Sequence, residues 1–470
     1  MALLYQAGPF LIVTRLTEII EPTILLVMIK HQYLEQVVDL IDPAITRLNN
    51  CNKSQVKEWI LKEDASALRN VDGSFALMAR EGKSVKLARS MDRPIRYFLA
   101  KKEDGPVLIV AERIDQILNW LKQEHLEDQF HPAYTRMVPA HYIAHLELIG
   151  CPDPDARHVR YFEPRRNSQP ENLDQIGKNY ISALFAEVEK WIDHIPEKDP
   201  IGVCFSGGID SGAVFLATYL TMSRKGMNLS RLKAFTLHVE SGPDLEQAQK
   251  FLSALNLSLF LEPIEVTKSS IDIEQTIKVI EDYKILDVEC AAMGLALLSR
   301  IRELYPDWKY LIDGDGGDEN LKDYPIHENP ELTIRSVINN LMLYHEGWGV
   351  GKFKHSQTYS GGLSRSYTRS YAPARKFGFE AFSPFTRPDV IEVSEGIPFE
   401  KLTQYNVDKL YDLKGEVIKR GFKIIENIDF PVFEKRRFQH GAISENELRN
   451  ILPKSEMECR RKFLTMYGAF

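Results

Sequence analysis

The sequence predicts an α/β protein built on a doubly wound parallel sheet, preceded by a smaller mixed α+β part. Three observations carry this. From about residue 175, short apolar runs alternate with helical stretches, the pattern of parallel strands joined by crossover helices. One of those runs breaks into Ser-Gly-Gly-Ile-Asp-Ser (206–211) directly before an apolar helical segment. Before about residue 165 the runs are separated by Gly, Asp and Pro turns, as in a sheet of short strands.

Taken in order, "SFALMAR", "SVKLARS", "IRYFLAKK" and "PVLIVAE" read as strands. Residues 110–124 carry Ile114, Ile117, Leu118 and Leu121 at helical spacing. The polar, proline-bearing stretch 162–175 reads as a linker between a first domain (1–165) and a second (175–470). Beyond it come helix "IGKNYISALFAEVEKWI", strand "IGVCFS", a helix, strand "LKAFTLHV", helix "DLEQAQKFLSALN", strand "LFLEPIEV", helix "ECAAMGLALLSRIREL" and strand "KYLID". From about residue 330 the pattern is mostly helical.

Composition narrows the class. The 470 residues suit two or three domains, and 44% apolar with 27% charged residues is ordinary for a globular chain. A net charge of −7 gives no argument for nucleic-acid or membrane partners. Five scattered cysteines without a CxxC pair fit a reducing, cytoplasmic setting and argue against a disulfide framework. The apolar stretch within residues 1–28 contains Arg15, Glu18, Glu21 and Pro22, so it reads as strand and helix material rather than a spanning helix or signal peptide.

The Ser-Gly-Gly turn has a definite chemistry. Gly207 and Gly208 let the backbone turn tightly and bring its N–H groups near a ligand. A helix start offers unpaired donors and partial positive charge, which suit phosphate. Ser206 and Ser211 add hydroxyls. Asp210 would repel a bare phosphate, but it fits if Mg²⁺ lies between carboxylate and phosphates. The lysine of a Walker A loop is missing. A second Gly/Asp turn, "DGDGGDE" (313–319), follows the strand "KYLI", and parallel sheets gather ligand loops at the carboxyl ends of strands.

The SGGIDS turn resembles the pyrophosphatase loop of N-type ATP pyrophosphatases. With "SGPDLEQAQKFLSALNL", "YKILDVECAAMGLALLSR", "LIDGDGGDEN" and "FEKRRFQHGA" in this order, the chain resembles the asparagine synthetase B and β-lactam synthetase family over most of residues 175–445. The resemblance implies an adenine nucleotide α-hydrolase-like synthetase domain after an Ntn-type sandwich. It implies ATP and Mg²⁺ as cofactors, with Asp210 and Asp318 as the metal carboxylates. It places Gly314 where backbone approaches the nucleotide and Leu237 where backbone meets adenine. It gives Asp315 the acid/base position and Lys435 the charge facing an attacked acyl-adenylate. Alone, the Lys-Arg-Arg run at 435–437 would read as a solvated face, Leu237 as core and Asp244 as a helix cap. Cys204 reads as a small buried residue.

The chain also departs from that family. It begins Met1-Ala2 where glutamine-dependent members place a cysteine nucleophile, which implies a sandwich that no longer hydrolyses glutamine. The family's E-x-R-x-P-F-L-D stands here as "EAFSPFTR", with Phe382 at the arginine position and Arg387 at the final aspartate, hinting at a less polar acyl substrate. The expectation is an amide-forming ligase that adenylates a small-molecule or peptide carboxylate and passes the acyl group to an amine or ammonia. A partner protein or a homodimer is compatible with it. Its rivals are an ATP-dependent sulfur-transfer enzyme, which would need Cys204 or Cys290, and a non-catalytic nucleotide-binding subunit.

Overall fold

The computed structural model describes residues 36–103, 105–148, 156–239, 242–328, 330, 332–339, 366–433 and 450–468. The expectation for residues 1–28 lies outside them. The N-terminal part holds two four-stranded sheets. One is ordered β1 (Gln36–Asp39), β7 (Val107–Ala111), β6 (Arg96–Ala100), β8 (Arg136–Met137). The other is ordered β10 (Arg157–Arg160), β9 (Tyr142–Glu147), β5 (Ser84–Arg89), β4 (Ala76–Glu81). A small two-stranded pair, β2 (Arg47–Leu48) and β3 (Gly73–Ser74), lies beside them. Val85, Leu87 and Ala144 of one large sheet share a core with Tyr97, Leu108 and Val110 of the other. Every second residue of these strands, such as Val85 and Leu87 or Leu108 and Val110, therefore joins the two sheets. Helix α1 (Ile114–Gln123) forms where the 3.6-residue spacing predicts it and buries Ile114, Ile117 and Leu121.

The sheet of the second part has five parallel strands, ordered β13 (Leu261–Val266), β12 (Leu232–Val239), β11 (Ile201–Cys204), β14 (Tyr310–Ile312), β15 (Glu380–Phe382). Successive strand residues feed different cores. Leu232 and Ala234 join a cluster with Ile201, Val203 and Ile312, while Phe235, Leu237 and Val239 join one with Ile264 and Leu311. Helices cover both cores: α2 (Leu173–Asp193), α3 (Ile209–Arg224) and α9 (Val407–Glu426) on the first, α6 (Ile285–Leu304) on the second. This is why these strands read as apolar runs rather than alternating ones. Between them lie α4 (Asp244–Ala254), α5 (Ile273–Ile280), the short α7 (Gly317–Leu321) and α8 (Pro388–Glu395), with α10 (Glu456–Met466) near the end. The chain winds from β11 outward to β13, then returns to place β14 on the other side of β11. That reversal falls between β11 and β14, and both glycine loops begin at the carboxyl ends of these two strands, where parallel sheets gather their ligand loops.

The described part beyond residue 330 is mostly helical, as expected, and adds strand β15, three residues long, which pairs in register Tyr310–Glu380 to Ile312–Phe382. One expectation is corrected. Asp244 is the first residue of α4, with Pro243 in the cap position. The stretch read as a linker makes backbone hydrogen bonds to the end of α8. Asn167 N–H donates to Glu395 O at 3.2 Å, and Gln169 N–H to Gly396 O at 2.9 Å.

The two parts are closely joined. Ile114 and Met137 share an apolar cluster with Ile277 and Ile280 of α5 and Phe463 of α10. At its polar edge lies Glu281, 1% exposed on its side chain. It takes backbone N–H groups from Ile114 and Asp115 at 3.1 Å each, an ion pair from Arg96, another from Arg113 at 3.3 Å, and the Tyr467 hydroxyl at 3.2 Å. Arg387, which replaces the aspartate of the resembled motif, pairs with Asp72 at 3.1 Å and so ties the parts together as well. Among the described residues, no helix is long and apolar enough to cross a membrane.

Candidate active site

Strand β11 ends at Cys204, and after four intervening residues α3 begins at Ile209. Gly207 takes φ +73°, a left-handed conformation that favours glycine. A Cβ there would lie 2.7 Å from Ala248 N, so α4 packs directly on the turn and leaves no room for a side chain. Gly208 is the N-cap of α3, and Asp210 falls in its first turn. The hydroxyls fix the loop's shape. Ser211 Oγ accepts from Ser206 N–H at 3.2 Å and lies 3.2 Å from Ser206 Oγ, and it donates to Gly208 O at 3.3 Å.

The second loop leaves the adjacent strand, β14, and packs against this one. A Cβ on Gly314 would sit 2.7 Å from Ser211 N, and one on Gly317 would sit 2.2 Å from Asp210 Oδ1. Gly316 takes φ +94°. The glycines of DGDGGDE are thus required by contact with the Asp210 turn as well as by backbone conformation. Asp318 enters α7 in its first turn. The structure brings together Ser206, Gly207, Gly208, Asp210, Ser211, Gly314 and Asp318.

The two carboxylates converge on a residue that sequence reasoning missed. Lys414, on α9, places Nζ 2.5 Å from Asp210 Oδ2, in an ion pair with Asp318 Oδ1, and 3.4 Å from Asp323 Oδ2. Its side chain is only 3% exposed. Burial disfavours the ammonium, but Asp210, Asp318 and Asp323 outweigh that and hold its pKa well above the ordinary lysine value. Among the described residues no cluster of three or more His, Cys, Asp or Glu could hold a metal by itself. A two-carboxylate site suits Mg²⁺, which usually takes one or two protein carboxylates and completes its shell with phosphate and water.

Asp315 stands between Gly314 and Gly316 in the second loop, with its Oδ2 buried. Burial and the neighbouring Glu319 push its carboxyl up to about 7, against the pull of Arg369. Its N–H donates to Asp313 Oδ1 at 3.0 Å, and Asp313 accepts from Ser383 Oγ at 2.7 Å. Arg369 belongs to a π-helical turn, Tyr367–Tyr371, and its Nε donates to Asp287 Oδ1 of α6 at 2.9 Å. Burial disfavours the guanidinium's charge, but Cys290, Asp287, Glu319 and Asp315 together hold it protonated. Single π-helical turns are frequent at functional sites.

The remaining expected residues fall as follows. Lys435 lies outside the described residues. The Leu237 side chain is 2% exposed and belongs to a core cluster, consistent with either backbone contact to a ligand or a plain core role. Burial raises the thiols of Cys204 and Cys290, the latter to about 11, so neither is an activated sulfur nucleophile. Phe382 stacks on Trp191 with centroids 5.2 Å apart. That packing accounts for the aromatic residue and takes away its value as a sign of a less polar acyl substrate.

Residues 193–376 match the asparagine synthase family model. The matched span contains both glycine loops and Arg369, and it ends before Lys414. No curated protein matches the chain. The region is thus similar to asparagine synthetases, which are ATP-dependent ligases.

Proposed function

We propose that the protein is an ATP- and Mg²⁺-dependent ligase that adenylates a substrate carboxylate, releases pyrophosphate and transfers the acyl group to an amine or ammonia. The observation that carries this is the meeting of the two loops. A helix start made for phosphate and two carboxylates made for a cation lie within contact of each other at the strand-order reversal. We read the five-stranded sheet as the doubly wound synthetase domain (175–470) and the two N-terminal sheets as an Ntn-type sandwich (1–165) that serves as scaffold.

In this reading the N–H groups opening α3 and the hydroxyls of Ser206 and Ser211 bind ATP phosphates. Asp210 and Asp318 would hold Mg²⁺, whose positive charge would ease departure of pyrophosphate. The convergence of both carboxylates on one ammonium supports a cation at that point. Lys414 supplies a further fixed positive charge beside the phosphates. The substrate carboxylate attacks the α-phosphorus and the bond to pyrophosphate breaks. The nitrogen then attacks the acyl carbon, AMP leaves, and Asp315 accepts the proton that nitrogen sheds. Its pKa near 7 suits that exchange. Lys435 would stabilise the oxyanion formed on attack. The acyl donor would be a small-molecule or peptide carboxylate, and the nitrogen would come from solution, from the substrate itself or from a partner protein.

The test is pyrophosphate release with ATP and Mg²⁺ over a library of carboxylates, with Asp210→Ala and Lys435→Ala as controls. The expected result is carboxylate-dependent pyrophosphate from the wild type, lost by at least about 1,000-fold in Asp210→Ala. Wild-type protein that forms none with any carboxylate would sink the reading.

A further inference from the structure

Lys322 caps α7 at φ +58°, a left-handed conformation that favours glycine, yet it carries a long charged side chain. That side chain is fully buried and forms an ion pair with Glu395, the last residue of α8, itself 1% exposed. A buried ion pair contributes little net stability, because both charges lose their water. What it does give is direction, since the ammonium must stay on one carboxylate. Strained backbone persists only where its surroundings over-determine it. Strain and ion pair together point to a residue that serves by where it holds the chain.

What it holds is the second glycine loop. Lys322 N–H donates to Asp318 O, and Asp323 N–H donates to the same oxygen at 2.9 Å. The side chains of Asp318 and Asp323 both reach Lys414. Glu395 is gripped from its other side by the stretch that joins the two parts. Its carbonyl accepts from Asn167 N–H at 3.2 Å. Next to it, Gln169 N–H donates to Gly396 O at 2.9 Å, and Gln169 Nε2 donates to Val393 O at 2.6 Å. One residue is thus held by the linker through its backbone and by Lys322 through its carboxylate.

We propose that Lys322 is a positioning residue for Asp318, and that the linker, by seating Glu395, sets how well Asp210 and Asp318 together take a divalent cation. The role rests on the cation-site reading above. Docking of the N-terminal part reaches the metal carboxylates through contacts in series: linker to Glu395, Glu395 to Lys322, and Lys322 to Asp318. Lys322 touches neither metal nor nucleotide itself.

The probe is Mn²⁺, its binding followed by electron paramagnetic resonance on the full chain with the α,β-methylene analogue of ATP. Lys322→Met alone strands the Glu395 carboxylate and should melt low. Lys322→Met with Glu395→Leu removes both charges and refills the space, so its melting temperature should return close to wild type. Its Mn²⁺ affinity should still be about tenfold weaker, the usual cost of losing a partner behind a metal ligand. Gln169→Ala should weaken Mn²⁺ binding about threefold in the wild-type background and leave the double variant unmoved, because the series is already cut there. Asp318→Ala should abolish binding. A double variant that melts and binds Mn²⁺ like wild type would overturn the positioning role and leave the cation reading standing. An unmoved affinity in Gln169→Ala, or an equal loss in both backgrounds, would overturn the link to the N-terminal part. Wild type that binds no Mn²⁺, or Asp318→Ala that binds it equally well, would sink the cation reading and the positioning role with it.

Discussion

Lys414 and Asp210 stand 204 residues apart in the chain, and Lys414 Nζ lies 2.5 Å from Asp210 Oδ2. With Asp318 and Asp323 on the same ammonium, one buried lysine balances three carboxylates where the two glycine loops meet. Without it, these carboxylates would repel one another in a partly dry place. Removing one partner of a buried ion pair costs about 3–5 kcal/mol, and the partial exposure of Asp318 puts this case at the low end. Lys414→Met should therefore lower the melting temperature, with Mg²⁺ restoring more of the loss than it adds to the wild type, because a divalent cation can answer the same charges. Thermal melts across a magnesium series check this. Equal magnesium responses in both proteins would remove the cation-site reading.

The glycines of the second loop make a steric prediction. A methyl on Gly314 would meet Ser211 N at 2.7 Å, backbone that cannot swing aside. Gly314→Ala should push the two loops apart and raise the KM for ATP at least about tenfold, while the far-ultraviolet dichroism stays native. Unchanged ATP affinity would show that the contact between the loops is not needed for nucleotide binding.

Much of the site was legible because turn chemistry is local. SGGIDS and DGDGGDE announce themselves by glycines and carboxylates within a few residues, and strand-helix alternation supplies the sheet that brings them together. Lys414 was hidden by its setting in a helix. It falls in the buried face of α9 with Leu410, Leu413, Val417 and Ile418, and a charged residue within an apolar stripe was the available signal. Arg369 gave no such sign, because a π-helical turn has no clear sequence pattern. Strand β15 was too short for a period of two to register. Packing between distant segments is what the sequence concealed, in Trp191 against Phe382 as in Arg387 against Asp72.

The carboxyl of Asp315 predicts a pH dependence. Burial and then Glu319 raise it to about 7, Asp313 adds to the rise, and Arg369 and Ser366 oppose it. As a base it works only when ionised, so the rate of acyl transfer should climb with pH and level off above about 7. Arg369→Gln removes an opposing positive charge, so its inflection should move to higher pH. Asp315→Asn should lose the inflection along with most of the rate. Stability runs the other way. The folded pKa lies above the ordinary 3.8, so ionising this group costs stability as pH rises from about 4 through 7. Asp315→Asn should thus melt higher than wild type at pH 8. Coincident pH profiles for wild type and Arg369→Gln would remove Asp315 from the base role.

Glu281 joins three segments: the start of α1, the end of α5 and Tyr467 beyond α10. Its carboxylate answers Arg96, whose side chain is fully buried, and Arg113. Glu281→Ala leaves Arg96 buried without that ion pair and the N–H groups of Ile114 and Asp115 without an acceptor. The loss should be about 3–5 kcal/mol. It falls at the junction of the two parts, so the effect should be on cooperativity as well as on midpoint. Wild type should unfold in one calorimetric transition, and Glu281→Ala in two, with the first well below the wild-type midpoint. The pinned stretch around Asn167 and Gln169 should then become open to protease under native conditions, because its hydrogen bonds to the end of α8 persist only while the parts stay docked. A single transition merely shifted downward would show that the two parts fold as one unit.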